Sequence, residues 1–392
     1  MTGQLDFLNQ RRTNSEMLYE IDESCISALC TEDIDLDCVA LLEQLAQDRR
    51  KCKNIIVAKR STFEELAKME VLSITARNIY KILGNRSSEQ KLILTKTKKY
   101  CRIFFGDGES RVIHDGDHEI ILLNIRGTGR KDFTEKTIVL TENEEDAIFY
   151  KIIGHYYSKS SGLRNISIDF DQLNGGGSTT SNVIKRIIKE NNRMCLCISD
   201  SDKKYKDCNC GTTMQKIIDV TRDKPRLFFD LILLPTHEVE NLIPIDVLDK
   251  VADKNGWDKE GITFLKFLAD KFEQEESPVF YFDCKKGIPK ASFILPENAD
   301  ENQKKKYRGL ERYRLYWKSY VEAFGKVIDS QTSEPIIKGI CEKILVYSND
   351  YLEKIVKQGS IEKIYLHEYL KKLWMEIGEK IYCWGCVGNR IA

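Results

Sequence analysis

The stretch KTIVLTENEEDAIFYKIIG, from Lys136 to Gly154, decides how this chain is read. Thr137 to Leu140 form a short run rich in β-branched residues, the mark of a buried strand. From Glu144 onward the apolar positions fall at helical spacing, and Gly154 is expected to end that helix. Between the two lie Glu142, Glu144, Glu145 and Asp146, four carboxylates in five residues. A strand passing directly into a helix is half of a crossover unit, and crossover units build parallel sheets.

The same alternation continues downstream. ISIDFD reads as a second strand, followed by a loop holding Gly175, Gly176 and Gly177, and SNVIKRIIKEN as a helix. MCLCIS, TTMQKIIDVTRD and LFFDLILL supply strand, helix and strand. Upstream, CVALLEQLA and TFEELAKMEVLSITARNIYKIL are helical, and the first hundred residues read as mainly helical. KLILTK, YCRIFF and EIILLNI then read as short strands before a boundary at RGTGRKDF. After Pro244 the pattern is helical again, apart from one irregular connection, SPVFYFDCKKGIPKASFILPENADENQKKK. The expected fold class is therefore α/β: a parallel, Rossmann-like sheet flanked by helices. Its expected divisions are a mixed α+β N-terminal module (1–135), the sheet core (136–245) and a mainly helical C-terminal region (246–392).

Composition narrows the field without naming a partner. Lys plus Arg equals Asp plus Glu at 61 each among 392 residues, so any attraction to nucleic acid must come from local patches. The N-terminus lacks the apolar core of a signal peptide, and no uncharged run suggests a membrane helix. Thirteen scattered cysteines suit reduced thiols. The expectation is a soluble cytoplasmic protein with no membrane partner.

In an open parallel sheet, ligands bind beyond the carboxyl ends of the strands. The first strand delivers Glu142 there, with Asp146 one helical turn later. The third delivers Asp200 and Asp202, and the fourth delivers Glu238 and Glu240. Carboxylates gathered closely repel one another unless a cation joins them. Hard ions such as magnesium take carboxylate oxygens and keep places for water and phosphate. Singly, each acid reads as well as solvated surface; their order on successive strand ends carries the metal reading.

These motifs resemble the Toprim domain of topoisomerases, bacterial primases and several nucleases, over roughly Lys136 to Ile245. In the resemblance Glu142 is the strand-one Glu, and Asp146 matches the added Asp of the nuclease branch that includes the overcoming-lysogenization-defect enzymes. Asp200 and Asp202 match the Asp-x-Asp step, and Glu240, with Glu238 beside it, matches the later acidic motif. Asn143 replaces the glycine usual after the first Glu. No Walker A pattern accompanies these motifs, and the gate domains of a topoisomerase have no room. The resemblance implies a stand-alone Toprim nuclease, an anti-phage defence effector or toxin working with a separate ATPase or sensor. Glu142, Asp200 and Asp202 would be catalytic. With Asp146, Glu238 and Glu240 they would hold one or two Mg2+ or Mn2+ ions, and water would attack phosphorus without a covalent tyrosine intermediate.

QKKKYRGLERYRLYWKSY, Gln303 to Tyr320, interleaves cations with aromatics, as single-strand binding requires. Lys304, Lys305, Arg308, Arg312 and Arg314 are its candidate nucleic-acid contacts, with Lys203 and Lys204 beside the acidic pair. An amphipathic helix with its aromatics in the core accounts for the stretch equally well. Cys208, Cys210, Cys383 and Cys386 could in principle hold zinc, but their spacing is not that of a finger. His237 lies beside the acidic motif. The expected function is a magnesium-dependent endonuclease of DNA or RNA, with a homo-oligomer left open. The alternatives are a non-catalytic binding subunit on a Toprim scaffold, or a Toprim ribonuclease that processes structured RNA.

Overall fold

A computed structural model describes residues 17–30, 34–127, 133–163, 166–223, 227–272, 277–329 and 335–388. The N-terminal part runs β1 (Leu18–Ile21), α1 (Ser24–Cys30), α2 (Leu36–Arg50), β2 (Ile55–Ala58), α3 (Arg60–Leu66), α4 (Ile74–Asn85), α5 (Ser87–Lys96), β3 (Lys99–Phe104), β4 (Arg111–Asp115) and β5 (His118–Asn124). Its sheet has the order β2-β1-β3-β5-β4, parallel except for the β4–β5 hairpin. Here the sequence reading needs correction. β1 and β2 stand in the region expected to be mainly helical, because four-residue strands buried on both faces show no alternation. KLILTK is the end of α5, not a strand; a short apolar run does not tell the two apart, and Leu92 within it is exposed.

The middle of the chain runs β6 (Ile138–Thr141), α6 (Glu144–Ser160), β7 (Ile166–Ile168), β8 (Asp171–Asn174), α7 (Thr180–Glu190), β9 (Cys195–Ser199), α8 (Thr212–Thr221) and β10 (Phe229–Leu233). Four of these strands form a fully parallel sheet ordered β10-β9-β6-β8. Alternate side chains serve its two faces. Leu140, Cys195, Cys197, Phe229 and Leu231 pack with Ile184, Ile187 and Ile217 of α7 and α8. Val139, Leu196 and Ile198 belong to the larger core on the α6 side. The stretch ISIDFD is divided: Ile166–Ile168 pairs antiparallel with a C-terminal strand, and only Asp171–Asn174 joins the parallel sheet.

The rest comprises α9 (Ile245–Asn255), α10 (Glu260–Lys271), β11 (Gly287–Ile288), α11 (Glu301–Gly309), α12 (Glu311–Ala323), β12 (Ile337–Lys338), α13 (Ile344–Lys357), α14 (Glu368–Gly385) and β13 (Cys386–Gly388). α14 lies along α6, with Trp374 set edge-on against Phe149 and Tyr156. This contact explains why Gly154 does not end its helix. A Cβ there would sit 2.8 Å from Ile381 Cγ2, so glycine lets α14 approach in mid-helix. One apolar cluster runs from Met17 to Cys386 and joins the N-terminal sheet, α6 and the C-terminal helices. Among the described residues no helix is long and apolar enough to cross a membrane.

The strand order positions the site. From β6 the chain steps outward to β8, then crosses back to β9 on the other side. The order reverses between β6 and β9, and the crevice beyond their carboxyl ends is where open α/β sheets bind ligands.

Candidate functional site

Glu142 follows β6 directly and opens to solvent. Gly177, at φ +59°, brings the glycine loop so close that a Cβ there would lie 3.2 Å from Glu142 Oε1. Asn143 caps α6, and its amide donates to Asp146 Oδ2 at 2.9 Å, closing a reciprocal capping box. Asp146 is thus buried at the first turn of α6, beside the crevice. Asp200 and Asp202 follow β9. Asp202 takes φ +54°, a region that Asp visits more readily than most residues, and its amide donates to His237 O at 2.9 Å. That bond ties the loop after β9 to the loop after β10. Glu238 caps the 3-10 turn Val239–Leu242, and Glu240 is buried within that turn.

The acids expected from the sequence therefore converge closely enough to perturb one another. Burial pushes the Asp146 carboxyl up to about 7, and Glu240 and Glu142 add to the rise. Asp200 is raised well above the usual carboxylate range, by desolvation and then by Asp146, Glu240, Glu238 and Glu142. Glu142 is raised by desolvation and by Asp202, and Glu240 by desolvation and by Glu238. The buried Glu240 Oε2 has no hydrogen-bond partner. Desolvation is the larger cause at each of these groups, and the neighbouring carboxylates add to it, so their ionised forms are disfavoured unless a cation joins them.

The counter-charge that exists escaped the sequence reading. Lys285 Nζ lies 3.0 Å from Glu238 Oε2 and 2.9 Å from Glu240 Oε1. Burial works to lower its pKa, but Glu240 and Glu238 outweigh it and hold the ammonium above its ordinary value. Asp283, two residues earlier, accepts from the Lys285 and Lys286 amides at 3.1 and 2.8 Å. Burial would raise Asp283, yet His237 and the Lys286 amide more than offset it, and its pKa falls. His237, Glu238 and Asp283 place one ligand atom each within 4.8 Å of one another, and among the described residues this trio alone does so. The five acids Glu142, Asp146, Asp200, Asp202 and Glu240 are set more loosely. Asp283 and Lys285 come from the irregular connection after α10, a stretch that holds three of the seven prolines, where the sequence offered an acid and two lysines close together. That is the kind of segment that carries function, but it has no periodicity to flag it.

The basic candidates divide. Arg314 is committed internally: its guanidinium lies 3.8 Å from the Tyr307 ring and donates to backbone carbonyls of Tyr307 and Ser292. Lys304 pairs with Glu301 at 2.9 Å, and Arg308 stands 3.8 Å from the same residue. Lys305, Arg312 and Lys204 are exposed, and Lys203 is half-buried. Tyr313 and Trp317 of α12 are buried, so this helix turns its large rings into the core. Trp317 donates its indole N–H to Lys204 O at 2.9 Å, pinning the loop that follows Asp202. Cys383 and Cys386 are buried, and they form no cluster with Cys208 and Cys210 among the described residues. Comparison with protein-family models, curated proteins and solved structures returned no match.

Proposed function

We propose that this chain is a divalent-metal-dependent nuclease of the Toprim type, hydrolysing phosphodiester bonds of DNA or RNA. The observation that supports it most is the gathering of carboxylates at the switch point of the parallel sheet, with the buried Glu240 Oε2 left without a partner. Glu142, Asp146, Asp200, Asp202, Glu238 and Glu240 meet there with Lys285 as the one ammonium bonded to them among the described residues. The donors are all hard oxygens, and the orphaned Glu240 Oε2 is available, which fits magnesium or manganese. Glu142, Asp200 and Asp202, with Asp146 and Glu240, would hold one or two such ions. Bound there, the ions would polarise a phosphodiester and activate water. The chain's own groups prepare the place. The capping box fixes Asp146, the His237 carbonyl fixes Asp202, and Lys285 balances Glu238 and Glu240. The partner ATPase and the anti-phage role implied by the resemblance belong to this proposal.

One observation favours a second reading, a scaffold that binds nucleic acid or a partner without turnover. The tight donor group is the His237 trio, not the five acids, and Lys285 already neutralises part of the set. One experiment decides between the two. Plasmid DNA and total cellular RNA are incubated with the pure protein and magnesium or manganese, wild type beside Asp200→Ala. The nuclease reading expects cutting that EDTA stops and that the substitution lowers more than about 100-fold, since even outer partners of metal ligands are worth roughly 10- to 100-fold. Cutting that survives Asp200→Ala sinks the assignment of this site.

A further inference from the structure

Beside the acidic crevice lies a cavity of about 270 Å³ that the metal reading does not use. His237 lines this cavity and its Nε2 lies 3.7 Å from Glu238 Oε1, so the cavity adjoins the carboxylates. Its other walls differ in chemistry. Tyr281, Tyr313 and Trp317 form an aromatic side, while Ile288, Pro289 and Leu310 close it with apolar surface. Lys204, Lys286 and Lys306 also line it, and all three are exposed. The aromatic wall is preformed: Tyr313 and Trp317 are buried, and the indole N–H is already bonded to Lys204 O. Lys204 lies in the loop after β9, Lys286 in the turn before β11 and Lys306 in α11, which begins within the stretch read as an irregular connection.

We infer that this cavity is a subsite for one nucleotide of a single strand. The base would enter the aromatic and apolar part, its phosphate would meet the lysines, and the adjoining phosphodiester would face the carboxylates. The inference rests on the nuclease reading of those carboxylates. Each feature selects against another occupant. An acyl chain gains nothing from three ammonium groups, and a bare phosphate gains nothing from an aromatic wall. A duplex does not fit a space of about 270 Å³, just under the roughly 300 Å³ at which small-ligand pockets begin. A base on an aromatic surface with its phosphate on lysines satisfies both walls. The inference also gives the basic, aromatic stretch around α11 and α12 a definite role. Two of its rings, Tyr313 and Trp317, line the cavity, and Lys306 is its exposed cation there.

The test is binding without turnover. A fluorescein-labelled single-stranded decanucleotide, as DNA and as RNA, is titrated with the full chain in EDTA and followed by anisotropy over a range of salt. The double variant Lys286→Ala/Lys306→Ala removes two exposed cations and should fold. It is expected to weaken binding at least tenfold and to flatten the salt slope by about 1.4, at about 0.7 per phosphate contact on a single strand. Leu310→Trp, which fills the cavity without altering charge, is expected to weaken binding while leaving the salt slope unchanged. Adenosine monophosphate is expected to displace the strand in the millimolar range, as a single unit of the same ligand. Binding of both variants within twofold of wild type overturns the inference, whether or not the protein cuts. Conversely, if pocket-dependent binding persists in a protein that cuts nothing with magnesium or manganese, the nuclease reading fails while the pocket stands.

Discussion

The two larger sheets, one fully parallel and one parallel except for β4, each have a point where the strand order reverses. In the N-terminal sheet that point lies between β1 and β3, and in the second it lies between β6 and β9. By fold geometry alone both should bind something. Their charges differ. Around the first sheet, Arg102 pairs with Glu20 at 2.6 Å, Lys59 with Glu23 at 2.7 Å and Arg126 with Asp107 at 2.8 Å. Around the second, burial raises the pKa of Asp146, Asp200, Glu142 and Glu240, neighbouring carboxylates add to each rise, and one lysine serves Glu238 and Glu240. The same topology thus yields a charge-balanced edge in one place and an unfinished site in the other. Function follows the unsatisfied groups, not the fold.

The difference is sharpened most by pH. Asp146, Asp200, Glu142 and Glu240 hold their protons more tightly in the folded chain than in the unfolded one. The folded state therefore binds more protons between the ordinary carboxylate range and about 7, the value reached by Asp146. Stability without metal is full below the unfolded pKa values and is lost as pH rises through that window. Linkage puts the loss on the order of a few kcal/mol. Thermal melts in EDTA should show the midpoint falling between pH 5 and 8, with magnesium opposing the fall. Asp200→Asn, which removes one of the crowded charges, should melt above wild type at pH 8 in EDTA. A variant that melts below wild type there would show that the carboxylates are not frustrated.

A second probe acts through the single lysine. Lys285→Met leaves Glu238 and the buried Glu240 without their cation. Removing one partner of a largely buried pair costs more than the pair contributes, and Lys285 is partly open, so the expected loss in EDTA is about 1–3 kcal/mol. Urea unfolding measures it. Magnesium should recover more of this loss in the variant than it adds to wild type, because the cation now replaces the missing ammonium. Equal gains from magnesium in both proteins would place the ion elsewhere.

How much of this was legible in the sequence follows from the same contrast. Glu142, Asp146, Asp200, Asp202, Glu238 and Glu240 could be brought together from sequence, because strand ends of a crossover sheet share one edge and the strand pattern from Ile138 to Leu233 is regular. β1 and β2 could not be recognised: at four residues, buried on both faces, they carry neither alternation nor helical spacing. Gly154 read as a helix end because glycine usually is one; only α14, more than two hundred residues away in sequence, supplies the reason for a glycine in mid-helix. Asp283 and Lys285 arrive on a connection whose path is set by packing and not by local pattern, so a long-range ion pair was invisible there.

The smallest effect belongs to the first sheet and completes the comparison. Lys59 and Glu23 meet beyond β1 and β2, with side-chain exposures of 69% and 63%. Water already solvates both charges, so their pairing adds little to stability and leaves no net charge seeking a ligand. Lys59→Ala should therefore leave the melting midpoint unshifted, the salt dependence of strand binding unaltered and any metal-dependent cutting at the wild-type rate. Glu20→Gln, at the less exposed Arg102 pair, should cost about 1 kcal/mol and again leave cutting untouched. If either substitution lowered cutting while the fold stayed intact, the balanced edge would also be part of the site. The distinction drawn between the two sheets from their charges would then have to be replaced by one based on what each sheet touches.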